Sequence, residues 1–254
     1  MNIIVCAKQV IDVSEMKVDP STKKPILQGV TQKISDIDKN AMEEAIKIKD
    51  KNGGKITVLT VGPTDAKERI KELLAMGADE GILVSIPDKY DYHVISSLIA
   101  EAIKKIGDYD IILCGEASID LFSGQVGPRV AGLLNIPQIT YAQSLNAEKD
   151  KVTAERNMGD HAVTTESTYP VLITVTKEIN EPRLPSLMQI LGAANKPIQD
   201  WTADSLNSGL DPMVNTVELK GVSMERKNEI FQNDLDESIN KLVESLAKEG
   251  VLRW

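Results

Sequence analysis

The sequence predicts an α/β protein with a doubly wound, mostly parallel sheet, followed by a C-terminal arm and helix. Four β-rich apolar runs alternate with three helical segments through the first 114 residues, and short connections join them. With 254 residues, 42% of them hydrophobic, the chain is long enough to bury a substantial core. A loop rich in glycine and small polar residues follows the fourth run, at the position where open α/β sheets bind ligands.

The first half of the chain supplies this alternation. Its apolar runs are rich in β-branched residues, and its helical segments carry apolar residues at helical spacing. We expect Ser35 or Asp36 to cap the first helix and Thr64 to cap the second. Turn residues at 19–23 predict an excursion or hairpin outside the core. In chain order the expected elements are a strand at 2–7, a helix at 38–51, a strand at 55–61, a helix at 64–76, a strand at 81–85, a helix at 92–106 and a strand at 109–114.

The pattern changes after a helix at 125–134. Residues 159–168 are predicted to form a polar, hairpin-like stretch, and weak periodicity at 200–233 predicts an extended arm. The last helix, at 236–248, is amphipathic, and it packs either on its own domain or on a partner. The other expected elements are strands at 139–145, 151–156 and 171–176 and a short helix around 187–191.

Two domains are expected from this organisation. Residues 1–199 form the α/β domain, and residues 200–254 form the arm and the C-terminal helix, which we expect to contact a partner subunit. The chain starts directly with a strand, and no apolar run approaches about 18 residues, so we expect no membrane insertion and a cytoplasmic location.

Composition argues against a polyanion-binding surface. The formal net charge is −9 and the pI is near 4.9, which opposes nucleic-acid binding, and an aromatic content of 4% leaves few residues to stack on bases. Cys6 and Cys114 both lie inside apolar strand patterns, which favours buried small hydrophobes over a disulfide or a metal site.

Conventional catalytic groups are not recognisable. His93 and His161 have no Ser, Cys or acidic partner at a recognisable spacing, and no Cys/His grouping fits zinc. A phosphate-binding Walker pattern is missing, and the turn after the first strand does not carry the glycine fingerprint of dinucleotide-binding dehydrogenases. We therefore expect neither a catalytic side chain nor a metal site.

Polar loops at the carboxyl ends of the strands remain as the candidate site. They are 7–9 after the first strand, 61–66 after the second and 115–125 after the fourth. Gly115 permits close backbone approach, and Gly124 leaves the first N–H groups of the next helix open to phosphate. A structural loop can also be rich in glycine and serine, so the purely structural interpretation stays open. The side chains able to reach a ribose or phosphate are Ser118, Asp120, Ser123 and Gln125.

Several segments of the chain, in register over about residues 1–200, resemble the β subunit of electron transfer flavoprotein. These segments are 5–12, 41–45, 74–79, 115–128 and 180–188. The resemblance implies an adenine nucleotide hydrolase-like fold for 1–199, with the loop at 115–128 binding a nucleotide. The match is only partial between Arg156 and Pro170, around Gly159-Asp160-His161.

The resemblance also implies which residues form the sites. The loop at 180–188 corresponds to the segment that contacts partner dehydrogenases, with Leu187 as its hydrophobic anchor beside Pro185 and Met188. Leu187 could instead be a core residue of a short helix, although the surrounding prolines suit an exposed, rigid loop. The nucleotide site comprises Cys6, Ser35, Ala66, Gly115, Asp120, Ser123, Gly124, Gln125 and Val126, to which the strand-end loops add Ala7, Val61 and Ser118.

Two cofactor types are open to such a subunit. One type holds a structural AMP, and the other holds FAD that accepts hydride from NADH and bifurcates its electrons. The segments 123–128, 19–22 and 191–194 look more like the bifurcating or anaerobic acyl-CoA-reductase-linked members, which favours FAD, with AMP as the alternative. NADH-oxidising activity is expected only if this site holds FAD.

The resemblance further implies an obligate α subunit in a heterodimer. Electrons would pass between NADH, ferredoxin or flavodoxin, and an acyl-CoA dehydrogenase or reductase. A different class, a universal-stress-type regulator that binds ATP or AMP, has a similar sheet, but the proline-rich loop and long arm within 177–254 speak against it. A small-molecule enzyme of the adenine nucleotide hydrolase kind would need a pyrophosphate-binding loop that is missing after the first strand.

Overall fold

A computed structural model describes residues 1–86, 90–206, 211–221, 227–232 and 234–252. The chain forms two compact units, one of residues 1–17 and 26–219 and the other of residues 18–25 and 220–254. The strands are β1 Asn2–Cys6, β2 Gln9–Ile11, β3 Lys17–Val18, β4 Pro25–Ile26, β5 Gln32–Ile34, β6 Lys55–Gly62, β7 Glu80–Ser85, β8 Ile111–Gly115, β9 Gln138–Ala147, β10 Lys151–Asn157, β11 Ala162–Thr168, β12 Val171–Val175 and β13 Ile198–Thr202. The α-helices are α1 Asp36–Asn52, α2 Lys67–Met76, α3 Tyr92–Ile106, α4 Val126–Leu134, α5 Leu187–Ala193 and α6 Leu235–Lys248.

A nine-stranded sheet is the frame of the larger unit. Its strand order is β11-β10-β9-β12-β8-β1-β6-β7-β13. Seven neighbouring strands run parallel, in the order β9, β12, β8, β1, β6, β7 and β13. Beside β9, the strands β10 and β11 add an antiparallel edge. From β1 the chain moves outward to β6 and β7, and then returns to β8 on the other side of β1. The boundary between β1 and β8 is therefore the topological switch point, where doubly wound sheets open a ligand crevice.

Side chains alternate along the central strands and build a core on each face of the sheet. On β1, Ile3 and Val5 face the layer of α1 and α2, whereas Ile4 faces the layer of α3 and α4. Ile112 and Cys114 on β8 belong to the same layer as Ile4. Because both faces are covered by helices, the central strands are mostly apolar, as is typical of parallel sheets. The predicted doubly wound, mostly parallel sheet is confirmed.

Most predicted elements agree with the structure to within a few residues. The helix expected at 92–106 is α3, and the run at 19–23 lies between β3 and β4, which pair as a small separate sheet. Ser35 occupies the N-cap position of α1, but its side chain makes no capping hydrogen bond. Thr64 does not cap α2, because a tight 3-10 turn at Thr64–Ala66 intervenes and the helix begins at Lys67.

Two predictions about the second half of the chain need comparison with the structure. The polar stretch at 159–168 is hairpin-like as predicted, since β11 forms a seven-residue antiparallel ladder with β10, although the sequence does not predict a regular strand there. The extended arm does not begin at residue 200, because β13 spans that position and pairs in parallel with β7. Neither strand shows a buried apolar face, so hydrogen bonds to a neighbouring strand determine it more than its own sequence does.

The smaller unit contains α6, whose apolar face is exposed. Asp234 caps this helix by accepting a hydrogen bond from the backbone N–H of Glu237. The described stretches 211–221 and 227–232 of the predicted arm contain no helix or strand. Nowhere in the described residues is a helix both long enough and apolar enough to span a membrane. The exposed apolar side chains of α6 are Leu235, Ile239, Leu242 and Val243.

The packing of α2 on β7 depends on Gly81. A Cβ added there would lie 2.3 Å from Cγ2 of Ile70, a buried and branched side chain that cannot move aside. We expect Gly81→Ala to lower the free energy of unfolding by about 1–3 kcal/mol, as overpacking does. Gly132→Ala is the control, since the exposed helical Gly132 has nothing within 4 Å and alanine should stabilise it by roughly 0.5–1 kcal/mol. Denaturant unfolding of both variants would contradict this packing if Gly81→Ala were as stable as Gly132→Ala.

Candidate ligand site at the switch point of the sheet

The candidate site lies where β1 and β8 end side by side. Cys6 and Cys114 are register partners on these parallel strands, so the loops that follow them leave the sheet together. The N–H of Ala7 donates to the carbonyl of Leu59 at 3.0 Å, which extends the pairing with β6 into the first loop. The loops at 7–9 and 115–125, separated by more than 100 residues in sequence, therefore form one cluster.

The carboxylate of Asp38 holds these two loops together. Its Oδ2 accepts a hydrogen bond from the N–H of Lys8 at 2.9 Å, and its Oδ1 accepts one from the N–H of Gly115 at 3.0 Å. A Cβ at Gly115 would lie 2.7 Å from that Oδ1, so only glycine lets the backbone approach so closely. Asp38 is buried in the first turn of α1, and its two oxygens position two strand ends.

A lysine and an aspartate face each other across the same cluster. Lys8 Nζ lies 2.7 Å from Oδ2 and 2.9 Å from Oδ1 of Asp120, and it donates to Ser118 Oγ at 3.4 Å. The ammonium group thus sits among the polar side chains predicted to reach a ribose or phosphate. The ion pair therefore brings one positive and one negative side chain into the cluster.

The loop ends at the N-terminus of α4. Gly124 has φ +63°, a left-handed conformation that favours glycine, and Gln125 is the N-cap of the helix. The N–H groups of Val126 and Gly127 are among those with no partner inside the helix, and Pro128 in the first turn has no N–H to satisfy. A Cβ at Gly127 would lie 2.7 Å from Cγ2 of Thr174, so glycine lets this helix end pack close to the sheet.

Two further predicted site residues are completely buried. Ser35 donates its backbone N–H to the carbonyl of Lys8 at 3.0 Å, but its hydroxyl has no hydrogen-bond partner in the described part of the chain. Ala66 lies in the core after the end of β6, and its backbone N–H donates to the carbonyl of Pro63 at 3.0 Å. Val61, near the end of β6, is half-buried. Of these features, the open helix N-terminus is the one that can bind a phosphate group.

Burial controls the titration of the groups beneath this cluster. It raises the pKa of the Asp38 carboxyl to about 7, although the two N–H donors and the nearby ammonium of Lys8 oppose the shift. Burial also raises the pKa of the Cys6 thiol to about 12, with Asp38 adding to the shift, and raises that of Cys114 well above its usual range. Both cysteines are therefore neutral thiols that pack at the strand ends, and neither is an activated nucleophile.

Asp38 is a site residue that the sequence analysis missed, and Lys8 entered it only as part of the loop 7–9, without a role of its own. Asp38 carried a detectable signal, because it shares a helix side with Ala41, Met42 and Ala45, which are all buried. A carboxylate on the apolar stripe of an amphipathic helix needs a buried partner. Lys8 gave no comparable signal, since its role depends on Asp120, which lies 112 residues later.

A separate exposed segment carries the residues expected to bind a partner. Leu187 is 71% exposed and Met188 is 77% exposed, so Leu187 is not a core leucine, and Pro185 is half-buried. Ser186 and Gln189 form a capping box that begins α5. Exposed apolar side chains also occur at Leu184, Ile190 and Leu191. We call the segment 184–191, which includes the first residues of α5, the 184–191 loop.

Fold and site together define a doubly wound α/β protein with a polar loop cluster at its switch point. The family model for the electron transfer flavoprotein domain matches residues 26–206. The chain is 40% identical to the electron transfer flavoprotein subunit beta of Thermoanaerobacterium thermosaccharolyticum, over 99% of this chain and 100% of the relative. It is 41% identical to the subunit beta of Clostridium acetobutylicum, over 82% of this chain and 80% of that one.

A third relative is a component of a larger complex. The caffeyl-CoA reductase-Etf complex subunit CarD of Acetobacterium woodii is 40% identical, over 84% of this chain and 81% of CarD. The chain belongs to the electron transfer flavoprotein family, and its full-length similarity is to the β subunits of that family.

The raised pKa of Asp38 predicts a pH-dependent stability. Between the usual aspartate value of 3.8 and about 7, the folded protein binds one more proton at this group than the unfolded chain does. The contribution of Asp38 to the free energy of unfolding therefore falls as the pH rises through this window. We expect Asp38→Asn to lack this component, so the stability advantage of the wild type over the variant should shrink from pH 4 to pH 7.

Denaturant unfolding at a series of pH values measures this difference. Asp36→Asn is the matched control, because Asp36 lies in the same helical turn with 46% of its side chain exposed. A wild-type advantage that stays constant or grows across the window would show that burial does not govern the protonation of Asp38.

Proposed function

We propose that this chain is the nucleotide-binding subunit of a heterodimeric electron carrier and that its strand-end cluster holds FAD. In this role it passes electrons, together with an α subunit, between NADH, ferredoxin or flavodoxin, and an acyl-CoA dehydrogenase or reductase. The observation that carries the proposal is the cluster at the switch point, on a chain that belongs to the electron transfer flavoprotein family. Flavin-based bifurcation is the mode of transfer that we favour.

The residues present suit a dinucleotide. The N-terminus of α4 offers N–H groups and a partial positive charge to phosphate, and the ammonium group of Lys8, paired with Asp120, lies in the same cluster. Ser118, Asp120 and Ser123 are short polar side chains in the loop that leads to this helix, and they could reach a ribose or phosphate. A bound flavin would supply the redox chemistry, while this chain binds and orients it. This division of labour accounts for a site built without an activated nucleophile.

Two observations favour FAD over AMP, one from the sequence of the loop and one from a relative. The segment at 123–128 looks like that of bifurcating members, and CarD belongs to a complex named for a caffeyl-CoA reductase. AMP is the alternative, because FAD contains an AMP moiety and the same phosphate cradle serves both. In that case the subunit would be a non-bifurcating carrier with a structural nucleotide.

Two exposed apolar surfaces suit the two expected partners. The apolar side of α6 is exposed among the residues that the structure describes, which suits an α subunit packed against residues 235–243. The 184–191 loop suits a dehydrogenase or reductase surface with an apolar pocket. A compact nucleotide-binding regulator of the universal-stress type would have no use for either surface.

Counting nucleotides distinguishes the two cofactors. We expect the heterodimer, made by co-expression with its α subunit, to release two FAD molecules on denaturation. One FAD and one AMP would support the structural nucleotide instead. No flavin at all, with ATP bound by a monomer, would contradict the electron-carrier function and favour a regulator.

Leu187 tests the partner surface. We expect Leu187→Ala to weaken binding to an acyl-CoA dehydrogenase by about 10- to 100-fold, since truncating a central apolar anchor costs roughly 2 kcal/mol or more. Flavin content should stay at the wild-type value, because Leu187 lies outside the nucleotide cluster. The control is Leu27→Ala, a leucine that is 40% exposed but lies outside the loop. Equal affinities for the two variants, measured by titration calorimetry, would place the dehydrogenase elsewhere.

A further inference from the structure

Helix α1 buries a row of polar side chains whose role the nucleotide site does not explain. Asn40, Glu43 and Glu44 are 3%, 4% and 6% exposed. Buried carboxylates and amides are costly unless each finds a partner, so their presence on the inner side of a helix calls for a specific set of hydrogen bonds. Those partners lie in the segment 177–183, which leads into the 184–191 loop.

The strongest of these contacts joins Glu43 to Arg183. Nε of Arg183 lies 2.9 Å from Oε2 and 3.1 Å from Oε1 of Glu43, and Nη2 lies 2.9 Å from Oε1. The backbone N–H of Arg183 also donates to Oε2, at 3.1 Å. Both the side chain and the main chain of Arg183 are thus bound to one buried carboxylate, in the forked geometry that only arginine provides.

Two asparagines make a second, reciprocal contact. Nδ2 of Asn40 donates to the carbonyl of Asn180 at 2.7 Å, and Nδ2 of Asn180 donates to the carbonyl of Asn40 at 3.0 Å. The same Nδ2 of Asn180 donates to Oε2 of Glu44 at 3.0 Å, and Nδ2 of Asn40 also lies 3.2 Å from the carbonyl of Lys177. Within the described part of the chain, the segment 177–183 does not pair with a β-strand, and it forms these hydrogen bonds with α1 instead.

We propose that Glu43 and Arg183 are positioning residues that hold the 184–191 loop in the orientation needed for docking. This inference rests on the proposed function, since it concerns the surface assigned to the dehydrogenase. Arg183 directly precedes Leu184, whose side chain is the most exposed of the loop at 93%. Pro182 and Pro185 restrict the backbone on either side of this pair of residues. Fixing the stem at residue 183 therefore fixes where the apolar side chains point and lowers the entropy lost on docking.

The experiment compares Glu43→Gln and Arg183→Lys in the heterodimer. Glutamine keeps the shape of Glu43 and loses its charge, whereas lysine keeps the charge of Arg183 and loses the fork. We expect amide hydrogen exchange across residues 183–191 to become about 10- to 100-fold faster in both variants, because a charge-assisted hydrogen bond is lost from the stem. Affinity for the acyl-CoA dehydrogenase should fall about tenfold or more, with the flavin content unchanged.

Glu101→Gln is the matched control. Glu101 forms an exposed ion pair with Lys104, at 2.8 Å, on the opposite face of the sheet, so neither exchange nor affinity should change. Arg183→Lys keeps the test valid if Glu43→Gln does not fold, because the guanidinium is at the surface. Unchanged exchange across 183–191 would overturn the proposal, as would faster exchange with wild-type affinity, or a fall in affinity that follows loss of flavin.

The same variants, together with Leu187→Ala, distinguish a failure of this inference from a failure of the proposed function. If Leu187→Ala binds the dehydrogenase as the wild type does, the docking function is wrong, while exchange at 183–191 still reports whether Glu43 and Arg183 hold the loop. If Leu187→Ala weakens binding and the two stem variants leave affinity unchanged, the docking function stands and the positioning role is wrong.

Discussion

The carboxylate of Asp38 is the interaction on which the candidate site depends. Its two oxygens accept the N–H groups of Lys8 and Gly115, so the ends of β1 and β8 are held in one cluster. These hydrogen bonds offset the burial of a carboxyl group, and burial is the dominant effect, since it raises the pKa of Asp38 to about 7. Every other feature of the cluster, including the ion pair of Lys8 with Asp120, is arranged around these two loops.

Helix α1 extends this role beyond the nucleotide cluster. Its first turn holds the strand-end loops through Asp38, and its next two turns hold the stem of the 184–191 loop through Asn40, Glu43 and Glu44. One rigid element thus supports both the proposed cofactor site and the proposed docking surface. The apolar side chains of the same helix pack on the sheet, so its position is set by the core and not by either loop.

Sequence reasoning succeeded where local pattern and burial coincide. The central strands are apolar because helices cover both faces of the sheet, and the helix at 92–106 carries a clear apolar stripe. It did not identify β11 and β13 as regular strands, because their side chains are exposed or half-buried. These edge strands depend on backbone hydrogen bonds to β10 and β7, and that dependence leaves little trace in composition.

The sequence alone predicts the doubly wound sheet, the loops at its carboxyl edge and the resemblance to a β subunit, because these follow from periodicity and from contiguous motifs. Only the tertiary structure brings Asp38 to Gly115, 77 residues away, and Glu43 to Arg183, 140 residues away. It also decides that Leu187 is exposed and not part of the core. Such contacts join segments that are distant in the chain, and they arise only after the sheet has placed those segments side by side.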